Sequence, residues 1–164
     1  MALTVVLIFT AATLRIIVFP PAGPLQKADA IVMFDGPTNR LGRALELARA
    51  GYAPVLVVSR PGVGQRCPAK EEAGGATVIC FAPEPVTTQG EARMAGRLAR
   101  QHGWRRMILV AERSQGSRAR LRTERCFGGD VQVATVDPAL REWPRLIAYQ
   151  WGAMVKAWIW QRDC

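Results

Sequence analysis

The stretch Pro85–Phe127, PVTTQGEARMAGRLARQHGWRRMILVAERSQGSRARLRTERCF, limits the folds open to this chain more than any other segment. Its centre, Met107–Val110, is a short apolar run without alternation, as a strand buried on both faces requires. Helical patterns flank it. Thr88–His102 places Met94, Ala95 and Leu98 on one face and stops at Gly103, and Ser114–Phe127 forms the second helix. Each helix opens with a polar cluster, Thr88-Gln89-Gly90-Glu91-Ala92 and Ser114-Gln115-Gly116-Ser117-Arg118. Helix, buried strand and helix in succession demand a parallel sheet with crossover connections.

The rest of the chain repeats the pattern. Ala30–Phe34, Pro54–Val58, Thr77–Phe81 and Val131–Val136 read as further strands, and Asn39–Gly51 and Arg141–Trp160 as amphipathic helices. Arg60–Gly75, rich in Gly, Pro and charge, reads as an irregular surface excursion. The expected fold is α/β: a three-layer α/β/α Rossmann-like sandwich on a five-stranded parallel sheet, ordered 3-2-1-4-5. That order puts a topological switch point between strands one and four, where ligands of such sheets bind. Of the five tryptophans, four fall within Trp143–Trp160, as packing anchors for the last helix or as an interfacial cluster.

Ala2–Phe19 (ALTVVLIFTAATLRIIVF) carries only Arg15 as a charge, and Pro20-Pro21 ends any helix there. A bilayer takes about 20 apolar residues, so an uncleaved membrane anchor over residues 1–19 is expected, with a linker over 20–27 and one domain over 28–164. A cleaved signal peptide and a buried first element are the competing readings. Cys67, Cys80, Cys126 and Cys164 form an even set without CxxC spacing or nearby histidines, so no metal site is expected. Beyond a membrane segment, an even count favours disulfides in an extracytoplasmic domain; Cys67–Cys80 closes most easily, leaving Cys126–Cys164, and unpaired thiols are the alternative. The 22 Lys+Arg against 13 Asp+Glu give +9. These arginines are scattered, with no basic tail and no aromatic–basic interleaving, which argues against nucleic-acid binding.

Polar groups converge at the carboxyl edge of such a sheet. Asp35, Gly36, Asn39 and Arg40 follow strand one, Ser59 ends strand two, Thr88 and Glu91 open one helix, and Ser114, Gln115 and Arg118 open the next. Helix N-termini beside two arginines suit an anion such as phosphate or pyrophosphate. Each group also has a plain structural reading. Thr88-x-x-Glu91 is a capping box, Ser114 an N-cap, Arg118 a solvated first-turn cation, and His102 a helix-end cation. The dinucleotide fingerprint and the phosphate-binding GxxxxGK[ST] loop are both absent, so no cofactor is expected.

The order Ala28-Asp29-Ala30-Ile31-Val32, an acidic/glycine turn, Arg40, Gly51-x-Ala53-Pro54, Ser59, Thr88-x-x-Glu91-Ala92, Ile108-Leu109-Val110 and Arg118-Ala119 resembles the YdcF-like family, a domain of unknown function that includes the SanA and ElyC envelope proteins. The likeness covers roughly Lys27–Asp137, and the Arg- and Ala-rich composition with paired cysteines is similar to actinobacterial members. It implies a Rossmann-like fold, often behind one membrane helix, and a role in cell-envelope or peptidoglycan-lipid metabolism. On this reading the partner would be a phosphorylated small molecule or lipid-linked intermediate, with Glu91 orienting it or acting as base. Three departures stand out: Asp35-Gly36-Pro37 replaces a glycine run, Arg60-Pro61-Gly62 follows Ser59, and Gln115 stands where the family places a histidine. Glutamine binds but does not transfer protons near neutral pH. A non-catalytic scaffold with a degenerate site and a nucleotide- or S-adenosylmethionine-binding enzyme are the alternatives. The sequence does not indicate an oligomeric state.

Overall fold

The five apolar runs assemble into one parallel sheet in a computed structural model, which describes residues 1–60 and 66–164. The strands are β1 (Ala30–Met33), β2 (Val55–Ser59), β3 (Thr77–Phe81), β4 (Arg106–Glu112) and β5 (Asp130–Val136). Their order is β3-β2-β1-β4-β5, as expected, with Met33 in register with both Val58 and Val110. The helices are α1 (Ala2–Thr13), α2 (Arg40–Arg49), α3 (Thr88–His102), α4 (Gly116–Cys126) and α5 (Trp143–Ile159).

Alternation of side chains divides the core between the two faces. Ala30, Val32, Phe34, Met107, Leu109 and Ala111 pack against Ala92, Ala95 and Ala99 of α3 and Ala119 of α4. Ile31, Met33, Leu56, Val58, Ile108 and Val110 meet Ala44, Leu45, Leu47 and Ala48 of α2. This split follows from handedness: the chain moves one way across the sheet through α2 and the other way through α3 and α4, so right-handed crossovers put them on opposite faces. The described part of the β2–β3 connection, 66–76, contains turns but no helix, and contributes Ala73 and Ala76 to the α2 face. The Pro61-Gly62 departure lies outside the described residues. At the end of α3, Gly103 adopts the left-handed conformation (φ 69°) that stops a helix at low cost.

The N-terminal expectation requires correction. Among the described residues, no helix is long and apolar enough to cross a membrane. The α-helix ends at Thr13, and Leu14–Val18 continue as a π-helical turn closed by Phe19 N–H to the Leu14 carbonyl at 2.7 Å. That turn belongs to the wall of the domain: Ile17 is buried, and Ser117 Oγ donates to the Ile16 carbonyl at 2.6 Å. Thr13 Oγ1 accepts from Trp151 Nε1 at 3.0 Å, and Phe9 stacks on the Trp151 ring. Beyond it, Leu25 and Ala28 pack on the α2-side core. Leu3, Val5, Val6, Leu7 and Ile8 of α1 are exposed.

Both disulfides form as expected, Cys67–Cys80 and Cys126–Cys164. The second fastens the tail after α5 to the end of α4. Arg93 donates to the Cys164 carbonyl, and Arg122 and Arg125 donate to the Gln161 carbonyl. Of the tryptophans in this region, Trp151 is a packing anchor, whereas Trp158 and Trp160 are exposed.

Candidate functional site

The chain leaves β1 and β4 toward opposite faces of the sheet at the switch point, into α2 and α4, and a cleft of about 270 Å³ opens there. Asp35, Gly36 and Arg40 form one wall, and Thr88 and Glu91 of α3 another. Glu112, Gln115 and Arg118 close the β4 side, and Leu146, Tyr149 and Gln150 of α5 lie across the top. A hollow of about 410 Å³ between the π-helical turn and α4 is larger, but its charged residues Arg15, Arg120 and Glu124 are all partly or fully exposed. Convergent buried polar groups mark the switch-point cleft as the candidate site.

Arg40 is buried beneath the β1 turn. Its Nη1 donates to the Asp35 and Phe34 carbonyls and its Nε to Thr38 Oγ1, while Nη2 lies 3.8 Å from Glu112 Oε2. Burial pushes the guanidinium pKa down, and the carboxylates of Glu112, Glu91 and Asp35 pull it back. Gly36 lies directly over this group: a Cβ there would overlap the guanidinium. The expectation that Arg40 binds phosphate is thereby revised, since most of its donors serve to hold the loop after β1.

Glu91 sits in the first turn of α3, 5% exposed. Its Oε1 accepts from the Asp35 N–H at 2.7 Å. The capping box does not form: Thr87, not Thr88, caps α3 by accepting from the Gly90 N–H at 3.2 Å. Glu91 is thereby released from the cap and turned into the cleft. Burial raises its pKa to about 7, against the opposing pull of the nearby Ser59 hydroxyl, the Asp35 N–H and Arg40. Ser59 Oγ approaches this carboxyl but completes no hydrogen bond among the described residues.

Arg118 is not a solvated cation. It is 9% exposed, with Nη1 donating to Thr88 Oγ1 at 2.9 Å and Nε to Gln150 Oε1 at 3.0 Å. Both partners are neutral, and no carboxylate lies within ion-pair distance of Arg118 among the described residues. Its pKa is pushed down by burial first. Gln115 Nε2 also donates to Thr88 Oγ1, at 3.0 Å. With two donors directed at its oxygen, the Thr88 hydroxyl keeps its own proton for a ligand.

Two expected groups take structural posts. Asn39 is exposed and caps α2 by accepting from the Gly42 N–H at 3.1 Å. Ser114 caps nothing: it donates to Glu112 Oε1 at 2.6 Å inside a short 3₁₀ turn, so α4 starts at Gly116. His102 lies at the far end of α3, stacked on Trp104. Sequence reasoning missed Glu112, Tyr149 and Gln150. Glu112 had a readable signal, an acidic residue two places beyond a buried apolar run; the α5 residues had none. No family model, curated protein sequence or solved structure matches the chain.

Proposed function

We propose that the cleft binds the phosphate of a phosphorylated metabolite, with Arg118 as its counter-charge. The observation that carries this reading is the buried Arg118 guanidinium, held by neutral Thr88 and Gln150 and facing the cleft. A buried cation without an ionic partner is costly, and an anion arriving in the cleft compensates it through charge-assisted hydrogen bonds. Thr88 adds a hydroxyl donor. Glu91, with its pKa near neutrality, exchanges a proton with a ligand hydroxyl or leaving oxygen close by. Gln115 supplies a hydrogen bond in place of the histidine of the YdcF-like pattern.

The YdcF-like resemblance extends the proposal to a cell-envelope metabolite, and the two disulfides support an extracytoplasmic setting. Calorimetric titration with inorganic phosphate and phosphate monoesters tests the core of the reading. Arg118→Met is expected to weaken phosphate binding about 10- to 100-fold, the worth of one or two charge-assisted bonds. Its unfolding midpoint should stay level or rise, because a desolvated charge is removed. Unchanged affinity in that variant, or no phosphate binding by the native chain, would overturn the proposal in favour of a non-catalytic scaffold.

A further inference from the structure

A second hollow, of about 300 Å³, adjoins the cleft on the other side of the β1 turn. The two share Asp35, Gly36 and Arg40 as a common ridge. The far side of the second hollow is formed by Ser59, Arg60 and Arg66 at the carboxyl end of β2. Its polar groups are not all satisfied by the fold. Ser59 Oγ, on a fully buried residue, and the buried Nε of Arg60 have no hydrogen-bond partner among the described residues. Arg66 is held by Glu72, with both guanidinium nitrogens on its carboxylate, whereas Arg60 has no ion-pair partner among the described residues.

Orphaned buried donors normally find partners, and the Arg60 Nε beside this hollow, with the Ser59 hydroxyl near it drawn only loosely to the Glu91 carboxyl, points to an anionic group that the protein does not supply. Building on the phosphate reading of the cleft, we infer that the ligand carries two separated anionic groups, one at Arg118 and Thr88 and the other at Arg60 and Ser59. The ridge sets their separation. The Asp35 carboxylate repels an anion placed on the ridge itself, so a compact diphosphate fits less well than a bisphosphate or a phosphate joined to a distal carboxylate.

Titration of the full chain with inorganic phosphate, pyrophosphate and hexanediol bisphosphate tests this. The bisphosphate is expected to bind about tenfold or more tightly than phosphate, the gain from one further charge-assisted contact. Arg60→Gln should abolish that gain while leaving phosphate affinity unchanged. Ser59→Ala covers the case in which the arginine variant folds poorly: it should reduce the gain of the bisphosphate over phosphate, a ratio that cancels any effect on phosphate itself through the neighbouring Glu91. If phosphate binds through Arg118 but the bisphosphate gains nothing, or keeps its gain in both variants, the second subsite is refuted and the cleft reading survives. If no phosphate binds, or Arg118→Met leaves all three probes unaffected, both fall together.

Discussion

Serine at both Cys126 and Cys164 is expected to destabilise the protein by about 4 kcal/mol, the chain-entropy value for a cross-link of this span. The two cysteines are 38 residues apart, and the loop they close contains β5 and all of α5. At roughly 2–4 °C per kcal/mol for a domain of this size, the melting temperature should fall by about 8–16 °C. The remaining ties on the tail include the Arg93–Asp163 pair, whose exposed geometry contributes little. The effect should reach the site. Helix α5 brings Gln150 to Arg118 and Tyr149 to the mouth of the cleft, so a loosened α5 leaves the guanidinium with Thr88 alone. Phosphate affinity should therefore fall with stability. The matched change at Cys67 and Cys80, 13 residues apart, is the control: it costs about 3 kcal/mol in the same model and leaves α5 in place. Thermal melts and phosphate titrations of both variants check this. Equal loss of phosphate affinity in the two would show that α5 does not hold the site.

The second large effect is a pH dependence of stability centred on Glu91. Its pKa is about 7 in the folded protein against 4.5 for an ordinary glutamate side chain. Between these values the folded protein holds a proton that the unfolded chain has released. Stability therefore falls as pH rises through this window and levels off above about pH 7. At 1.36 kcal/mol per pKa unit the loss is at most about 3 kcal/mol. Glu91→Gln is neutral throughout and keeps an acceptor for the Asp35 N–H, so its stability should not follow this decline. Denaturant unfolding near pH 5 and pH 8 makes the comparison, since both lie outside or at the edges of most other titrations. The variant should match the native protein at the lower pH and exceed it by roughly 2–3 kcal/mol at the higher. Parallel pH curves for the two proteins would mean that Glu91 is ionised in the folded state and is not the proton carrier proposed here.

The legible and illegible parts of the site differ by the range of the interactions that form them. Asp35, Gly36, Arg40, Glu91, Gln115 and Arg118 reach the cleft because each follows a strand end or opens a helix, positions that periodicity and run length locate. Their roles were less legible. Thr87 and Thr88 are both able to cap a helix, and nothing local chooses between them. The choice moves one hydroxyl into backbone duty and turns the other, with Glu91, toward the ligand. Arg40 and Arg118 have the same side chain in comparable places. One is occupied by carbonyls of the β1 turn and the other faces neutral groups. The membrane-anchor expectation rested on hydropathy. Hydropathy does not register that the helix changes geometry at Leu14, or that Trp151, far along the chain, receives Thr13.

The sequence by itself determined the parallel sheet, and it pointed to the strand order, the place of the cleft and the easier of the possible cysteine pairings. Those properties depend on local periodicity, on crossover handedness and on a small number of combinations. Tertiary structure alone decided which charges in the cleft are compensated. Glu112 finds Arg40 across the switch point, and Gln150 is delivered to Arg118 by a helix fastened through Cys164. Compensation is a pairwise, distance-dependent quantity between residues remote in sequence, and it comes into existence only when the chain has closed around them.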